Sequence, residues 1–279
     1  MILLIGGRGQ LGQAFQKALF EAGREFTLAP PLIPWPRTLL ALAAYPEIET
    51  VINCAAYTDV RGAEDPENWK DAVFLNTTFP AELAQVCKAE GKRYVTFSTD
   101  YVFGNCNPPE IRWPWDRTSP LNTYGRTKRA GEILMQTTGA LIVRTAGLFS
   151  PYGPNFVQTI FDRLRLDGHA RVRNDLMTSV TNADNLARAV LRELAASPPV
   201  PLSGVHHYVD SEPVTWFDVA EEIERHTPGR GAAKRILSIE DIDDGVYRPN
   251  CSALAPTIQG PMNWRDEVAR VVGIFKEKI

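Results

Sequence analysis

The sequence predicts an α/β fold: a Rossmann-type doubly wound parallel sheet followed by a smaller mixed α/β C-terminal lobe that would hold a substrate. Three observations carry this. Short apolar runs alternate with helix-length amphipathic stretches through the first 149 residues. The first run, Ile2 to Ile5, breaks off directly into glycines. After residue 150 the alternation loosens and proline-rich breaks enter.

Ile2 to Ile5 is continuously apolar, as suits a central parallel strand buried on both faces. Leu11, Phe15, Ala18 and Leu19 then recur at helical spacing, and Gly23 stands where that helix should stop. Glu25 to Leu28 follows as a second strand. Pro30-Pro31-Leu32-Ile33-Pro34-Trp35-Pro36 carries too many prolines for a strand or helix interior and reads as a surface loop, with a short helix from Thr38 to Tyr45 behind it. Thr50 to Asn53, Arg93 to Phe97 and Ala140 to Arg144 are further strands. Asn68 to Glu90 and Thr123 to Thr137 are the helices between them. Five such steps predict a doubly wound parallel sheet. Beyond it, helices are expected over Asn155 to Leu166, Asn182 to Ala196, Thr215 to Arg225 and from Trp264. A strand is expected over Val205 to Val209, and Ser197-Pro198-Pro199-Val200-Pro201 reads as a linker.

Composition removes several function classes. With 44% hydrophobic and 23% charged residues, the 279-residue chain is ordinary for a globular protein. Its net charge of −3 offers no basic field for a nucleic acid. Cys54, Cys87, Cys106 and Cys251 are scattered, with no C-x-x-C pair and no histidine at ligand spacing. They read as reduced thiols of a cytoplasmic enzyme, with no zinc or disulfide framework. His206 and His207 are adjacent on an expected strand, so they point to opposite faces and do not converge on one metal. The tryptophans, Trp113, Trp115 and Trp216 among them, read mostly as packing residues. No apolar run reaches membrane-spanning length, and the N-terminus lacks the basic region and cleavage site of an export signal.

Gly6-Gly7-Arg8-Gly9-Gln10-Leu11-Gly12 contains an overlapping G-x-G-x-x-G between a strand and a helix, the context a dinucleotide fingerprint requires. Glycines let the backbone approach a pyrophosphate, and the helix N-terminus presents free N–H groups. The second strand ends in Leu28-Ala29-Pro30, without the acid that usually holds the adenine ribose. Arg8 stands inside the loop, where a guanidinium can pair with a 2′-phosphate. Both features favour NADPH over NADH, which stays the alternative. On this reading 1–149 with 181–203 form the dinucleotide-binding domain, and 150–180 with 204–279 form the substrate lobe.

Tyr124-Gly125-Arg126-Thr127-Lys128 sets a phenol and an ammonium at i and i+4 on one helix face. A free tyrosine has a pKa of about 10, and a nearby cation stabilises its phenolate. Ser98-Thr99-Asp100-Tyr101 lies at the end of the preceding strand, where a hydroxyl points into the ligand crevice.

On these residues the chain resembles the extended short-chain dehydrogenase/reductases, and within them the dTDP-4-dehydrorhamnose reductase family. The matching segments are Gly9 to Gly12, Asn53 to Val60, Ala63-Glu64, Ser98 to Phe103, Thr118 to Gly125, Lys128 to Glu132, Arg144-Thr145, Asn155-Phe156 and Arg248-Pro249, in family order over nearly the whole chain. The resemblance implies hydride transfer to the C4 carbonyl of a nucleotide-linked 4-keto-6-deoxy sugar. Tyr124 would protonate the developing alkoxide. Lys128 would lower the phenol's pKa and hold the nicotinamide ribose. Thr99 would hydrogen-bond the reacting oxygen. Ala55, Ala56 and Tyr57 would lie along the cofactor, and Thr58, Asp59, Val60 and Tyr101 would face the sugar. Arg248 is either a diphosphate ligand or half of a structural salt bridge. A homodimer is compatible with the resemblance, and no carboxylate cluster compels a metal.

The match breaks in the half that chooses the substrate. Where the family continues Arg-Thr with Ser-Trp-Val-Tyr, this chain has Ala146-Gly147-Leu148-Phe149, so Gly147 is expected to remove an aromatic wall and widen the pocket. Asp175 to Thr181 likewise departs from the family's Gly-Ala-Pro-Thr turn. A reductase of another keto substrate is therefore an alternative, as is a non-catalytic regulatory subunit like that of methionine adenosyltransferase. Retention of Thr99, Tyr124 and Lys128 favours an enzyme.

Overall fold

The computed structural model of the chain describes residues 1–30, 45–196, 202–228, 236–239 and 245–278. Strands β1 (Ile2–Ile5), β2 (Phe26–Leu28), β3 (Thr50–Asn53), β4 (Arg93–Thr99), β5 (Leu141–Thr145) and β6 (Gly204–His207) form one sheet in the order β6-β5-β4-β3-β1-β2. Every neighbouring pair in it is parallel. The order reverses between β1 and β3, which opens a crevice at the carboxyl ends of these strands. Strands β1, β3 and β5 are buried along their whole length, which is why β1 is an unbroken apolar run and β3 and β5 have apolar centres.

Helices cover both faces. On one, α1 (Gln10–Glu21) buries Leu11, Phe15, Ala18 and Leu19, the residues its periodicity marked. On the other lie α2 (Phe79–Ala89) and α3 (Thr123–Met135). The single helix expected over 68–90 is interrupted: Trp69–Val73 is α-helical, Phe74–Thr78 forms a π-turn, and α2 resumes at Phe79. Pro80 has no N–H to return to the Asn76 carbonyl four residues back, so the ladder slips there. That carbonyl faces α3, where a Cβ on Gly131 would stand 2.3 Å from it.

The second half adds α4 (Phe156–Leu166), α5 (Ala183–Ala195), α6 (Trp216–His226) and α7 (Trp264–Glu277). Helix α5 belongs to the sheet's core beside α1, whereas α4, α6 and α7 enclose a separate core around Phe161, Val219, Ile223, Trp264 and Val268. Asp184, at the start of α5, joins the two halves through Lys17 of α1 (3.1 Å) and Arg270 of α7 (3.3 Å).

One boundary changes. Residues 204–207, assigned from sequence to the substrate lobe, form the edge strand β6 of the main sheet, with Val205 opposite Ile142. The chain returns after α5 to lie beside β5 as a parallel crossover. The loop and helix expected over 31–44 and the linker over 197–201 lie outside the described residues. Among the described residues no helix is long and apolar enough to cross a membrane.

Candidate active site

The glycine loop leaves β1 and meets the loop that follows β3 at the point of strand reversal. Gly6 has φ +74°, and a Cβ there would stand 2.6 Å from the Ala55 nitrogen. A Cβ on Gly12 would stand 2.2 Å from the Gly6 carbonyl oxygen. Both positions therefore demand glycine. Gly9 differs. It N-caps α1 without any side-chain cap, and its nearest neighbour would be 3.5 Å from an added Cβ. The first-turn N–H groups of α1 are thus presented at an open face. Arg8 is exposed beside them, and β2 runs out into Leu28 and Ala29 with no acid. Uncapped donors, a cradle a side chain would fill and an adjacent guanidinium fit a phosphorylated dinucleotide. Leu11 is buried in the core. Gln10 is tied away from the loop: it accepts from Ser150 Oγ at 2.9 Å and donates to the Leu148 carbonyl at 3.3 Å.

Ala55, Ala56 and Tyr57 follow β3, and the Ala55 backbone abuts Gly6. Asn53 Oδ1 accepts the Ala55 N–H (3.1 Å), and Asn76 grips the Tyr57 backbone at both its N–H and its carbonyl (3.0 Å each). Asn76 Nδ2 also donates to Thr127 Oγ1 at 3.1 Å, so the π-turn straps this loop to α3. Thr58 and Asp59 are exposed and Val60 is half-buried. Asp59 caps a turn by accepting the Gly62 N–H at 2.8 Å. Glu64, in that turn, accepts from Thr123 N–H (2.6 Å) and Oγ1 (2.9 Å), which holds the segment against the start of α3.

The reactive groups come from the end of β4 and the face of α3. Asn122 N-caps α3 through the Gly125 N–H (2.8 Å). Gly125 packs so tightly on the Tyr101 carbonyl that a Cβ would be 2.1 Å from it. Tyr101 stands edge-on to Tyr124, with ring centroids 6.2 Å apart. Tyr124 shares a hydrogen bond with Thr99, and Thr99 Oγ1 also accepts the Tyr101 N–H at 3.2 Å. Lys128 is 8% exposed and donates to the Phe97 carbonyl at 3.1 Å. Burial lowers its pKa to about 8, and Glu132 opposes that shift. The expected lowering of the phenol does not hold in this arrangement. Burial pushes Tyr124 above its ordinary value, Thr99 counteracts, and the Asp100 carboxylate adds to the rise. The reason is local: the phenol has left water while the ammonium is turned to a carbonyl.

Beyond Tyr101 opens a cavity of about 320 Å³. Arg163, Arg171, Arg173 and Arg248 line it, together with Phe156 and Trp216, whose rings lie 4.5 Å apart. Arg248 is half-buried, hydrogen-bonds Tyr101 and lines the cavity. Arg173 is held by Asp175.

Two expectations need correcting. Gly147 does not widen the pocket: it has φ +51°, and a Cβ there would meet the Ser179 carbonyl at 2.7 Å and Val180 Cγ1 at 2.8 Å. The space is filled by the neighbouring segment. Trp216 packs against the second core as expected and also lines the cavity. Trp113 and Trp115 are not core residues; they are 44% and 74% exposed and stacked on each other at 5.2 Å. His207 and His206 do diverge. His207 is buried, its Nε2 meets Arg144 Nη1 at 3.3 Å and its Nδ1 meets the Arg112 carbonyl at 3.1 Å. Since an arginine only donates, Nδ1 carries the proton. Burial and Arg144 lower this imidazole's pKa to about 3, which keeps it neutral.

Asn76, Asp100, Glu132, Arg163 and Arg171 were not singled out from sequence. Glu132 had a usable signal, since it continues the i, i+4 series of Tyr124 and Lys128 by one more turn. The others are brought to the site only by tertiary packing.

Comparison with known proteins agrees with this architecture. Residues 1–276 match the family model of the RmlD substrate binding domain. The dTDP-4-dehydrorhamnose reductase of Shigella flexneri is 32% identical over 229 residues, covering 78% of this chain and 75% of the relative. The crystal structure of a dTDP-4-dehydrorhamnose reductase from Clostridium acetobutylicum superposes with a TM-score of 0.87 at 27% identity over 99% of both chains. That of the Bacillus anthracis enzyme, in complex with NADP, superposes with a TM-score of 0.83 over 100% of this chain and 99% of the other; at 24% identity it shows the shared fold.

Proposed function

This chain belongs to the dTDP-4-dehydrorhamnose reductase family, and from that premise we propose that it reduces the C4 carbonyl of a nucleotide-linked 4-keto-6-deoxy sugar with NADPH, Tyr124 supplying the proton. The observation that carries this reading is the convergence of Thr99, Tyr124 and Lys128 at the carboxyl end of β4, between the uncapped glycine loop and the arginine-lined cavity.

NADPH, when bound, supplies the hydride. The α1 N-terminus and the Gly9 face would receive its pyrophosphate, and Arg8 the 2′-phosphate that an acidic β2 end would repel. The Bacillus anthracis relative was solved with NADP. Tyr124 holds a phenolic proton next to Thr99 and gives it to the alkoxide oxygen as charge develops there. The hydrogen bond it shares with Thr99 orients the phenol. Lys128, one helical turn beyond Tyr124, would hold the nicotinamide ribose once the cofactor is bound. The sugar would sit by Tyr101 and the Thr58–Val60 segment. Its diphosphate and base would extend into the cavity, where the Arg248 and Arg171 guanidiniums suit phosphate oxygens and the Phe156–Trp216 pair suits a planar ring. A cytoplasmic location and a homodimer belong to the same reading, and light scattering on the purified chain tests the latter.

Cofactor oxidation, followed at the nicotinamide absorbance with dTDP-4-dehydrorhamnose, is the test. Turnover with NADPH that drops by roughly 10²- to 10⁴-fold in Tyr124→Phe is expected. Absence of turnover by the folded wild type across a panel of nucleotide keto sugars would overturn the reading and turn attention to a regulatory role.

A further inference from the structure

Glu132 is completely buried, yet it is the meeting point of three elements. Arg144 of β5 binds it in two-pronged fashion, Nε to Oε1 and Nη2 to Oε2, both at 2.8 Å. Arg129, one turn earlier on α3, donates to Oε2 at 3.0 Å. Ser98 Oγ, the residue before Thr99, donates to Oε1 at 2.5 Å. Arg144 is itself only 1% exposed and reaches on to the Pro114 carbonyl (3.2 Å) and His207. The carboxylate lies four residues beyond Lys128 on the same helical face.

We propose that Glu132 is a positioning residue for the reduction: its buried carboxylate shares a small cavity with the Lys128 ammonium and ties the strand end bearing Thr99 to the helix bearing Tyr124. The inference rests on the role given to Lys128 above. The surroundings support it. The small cavity beside Lys128 is otherwise lined by uncharged groups from the β3 loop, the π-turn, α2 and β4, among them Ala55, Asn76, Pro80 and Thr96. Among the described residues, Tyr124 lies one turn before Lys128 on the same helix and Glu132 one turn after it, and Glu132 is the charge that acts on the ammonium. Arg144 and Arg129 approach only through Glu132, and Glu64 meets α3 at its far N-terminal end, at Thr123. Glu132 is thus the group that opposes the desolvation of the ammonium, and it also neutralises a guanidinium that would otherwise repel it. The hydrogen bond from Ser98 fixes the β4 end in the same step.

The test compares pH profiles of kcat/KM for wild type, Glu132→Gln and the double variant Glu132→Gln/Arg144→Met. The double variant removes both buried charges and so avoids leaving an orphaned guanidinium, the usual reason such a variant fails to fold. In Glu132→Gln the basic limb is expected to move about one unit toward lower pH, a roughly 10-fold loss on the basic side, and the double variant, which removes the repelling guanidinium with the carboxylate, should move it less in the same direction. A merely structural role would lower the rate at every pH and leave the limb in place. A limb that coincides with wild type in whichever variant is recovered folded overturns the inference. Failure of the underlying reading would look different: no wild-type turnover, or turnover insensitive to Tyr124→Phe.

Discussion

Thr99 Oγ1 donates to Asp100 Oδ1 at 3.1 Å and shares a hydrogen bond with the Tyr124 phenol, so one threonine hydroxyl couples a buried carboxylate to the tyrosine. Asp100 is 4% exposed, and its other oxygen accepts from Ser252 (2.5 Å) and Thr178 (3.3 Å). It therefore links the catalytic strand to the substrate half.

Burial raises the Asp100 pKa from 3.8 to about 6, and the hydroxyl donors only partly offset this. The native state then holds this proton more tightly than the unfolded state between those two values. Stability contributed by the group is present below the unfolded value and is lost as pH rises through the folded one. Asp100→Asn should remove that penalty. Relative to wild type it should gain about 1–2 kcal/mol between mildly acidic and neutral pH, less than the full shift implies because charge-assisted hydrogen bonds are weakened. Urea unfolding of both proteins at a series of pH values measures the difference, and a difference independent of pH would contradict the assignment.

The glycine loop separates two kinds of glycine that look alike in the motif. Gly12→Ala drives a methyl to 2.2 Å from the Gly6 carbonyl oxygen and 2.6 Å from the Gly7 Cα, contacts relieved only by moving backbone. A destabilisation of about 1–3 kcal/mol is expected, with loss of cofactor binding. Gly9→Ala has room in the fold, its nearest contact being 3.5 Å, so stability should hold within about 0.5 kcal/mol. Thermal melts with NADPH fluorescence titration distinguish them. A stable Gly12→Ala that still binds NADPH would rule out the packing argument.

What the sequence disclosed follows from physical reach. The sheet was legible because β1, β3 and β5 are buried on both faces and leave short, mainly apolar runs, and α1 because one face alone is buried. The glycine loop and the Tyr124–Lys128 pair were legible because their chemistry lies within a few residues of chain. The arginine-lined cavity was not, since Tyr101, Arg163, Arg171, Trp216 and Arg248 come from five separate segments. β6 was assigned to the wrong half because its neighbour β5 lies some sixty residues earlier, with Val205 opposite Ile142. The π-turn was hidden because Pro80 reads locally as a tolerated first-turn residue, while its effect falls on the preceding turn.

Gly147 shows the same limit acting on a specificity argument. A glycine where relatives carry tryptophan reads as a lost wall, yet its positive φ and its contact with Ser179 and Val180 leave no space to regain. Gly147→Trp should therefore destabilise the protein by about 1–3 kcal/mol or more, instead of restoring a family-like pocket. A melting temperature equal to wild type, with a lower KM for dTDP-4-dehydrorhamnose, would restore the lost-wall interpretation.

The cavity makes the last prediction, because its charge should act on binding and not on chemistry. Arg171 is exposed on its rim and distant in sequence from every group assigned to proton transfer. If it meets the substrate diphosphate equally in ground and transition states, Arg171→Ala raises KM for the nucleotide sugar and leaves kcat alone. An increase of about 5- to 50-fold is expected, consistent with roughly 1–2 kcal/mol for one charge-assisted contact. Because the site is open, that increase should shrink as salt screens the remaining guanidiniums. Trp216→Ala should also raise KM, but with no such salt dependence, since a ring contact carries no net charge. KM for NADPH should stay at its wild-type value in both, as the glycine loop lies across the crevice. Steady-state kinetics at low and high ionic strength separate the cases. A fall in kcat with KM unchanged would place these residues in the chemical step and remove the diphosphate from the cavity.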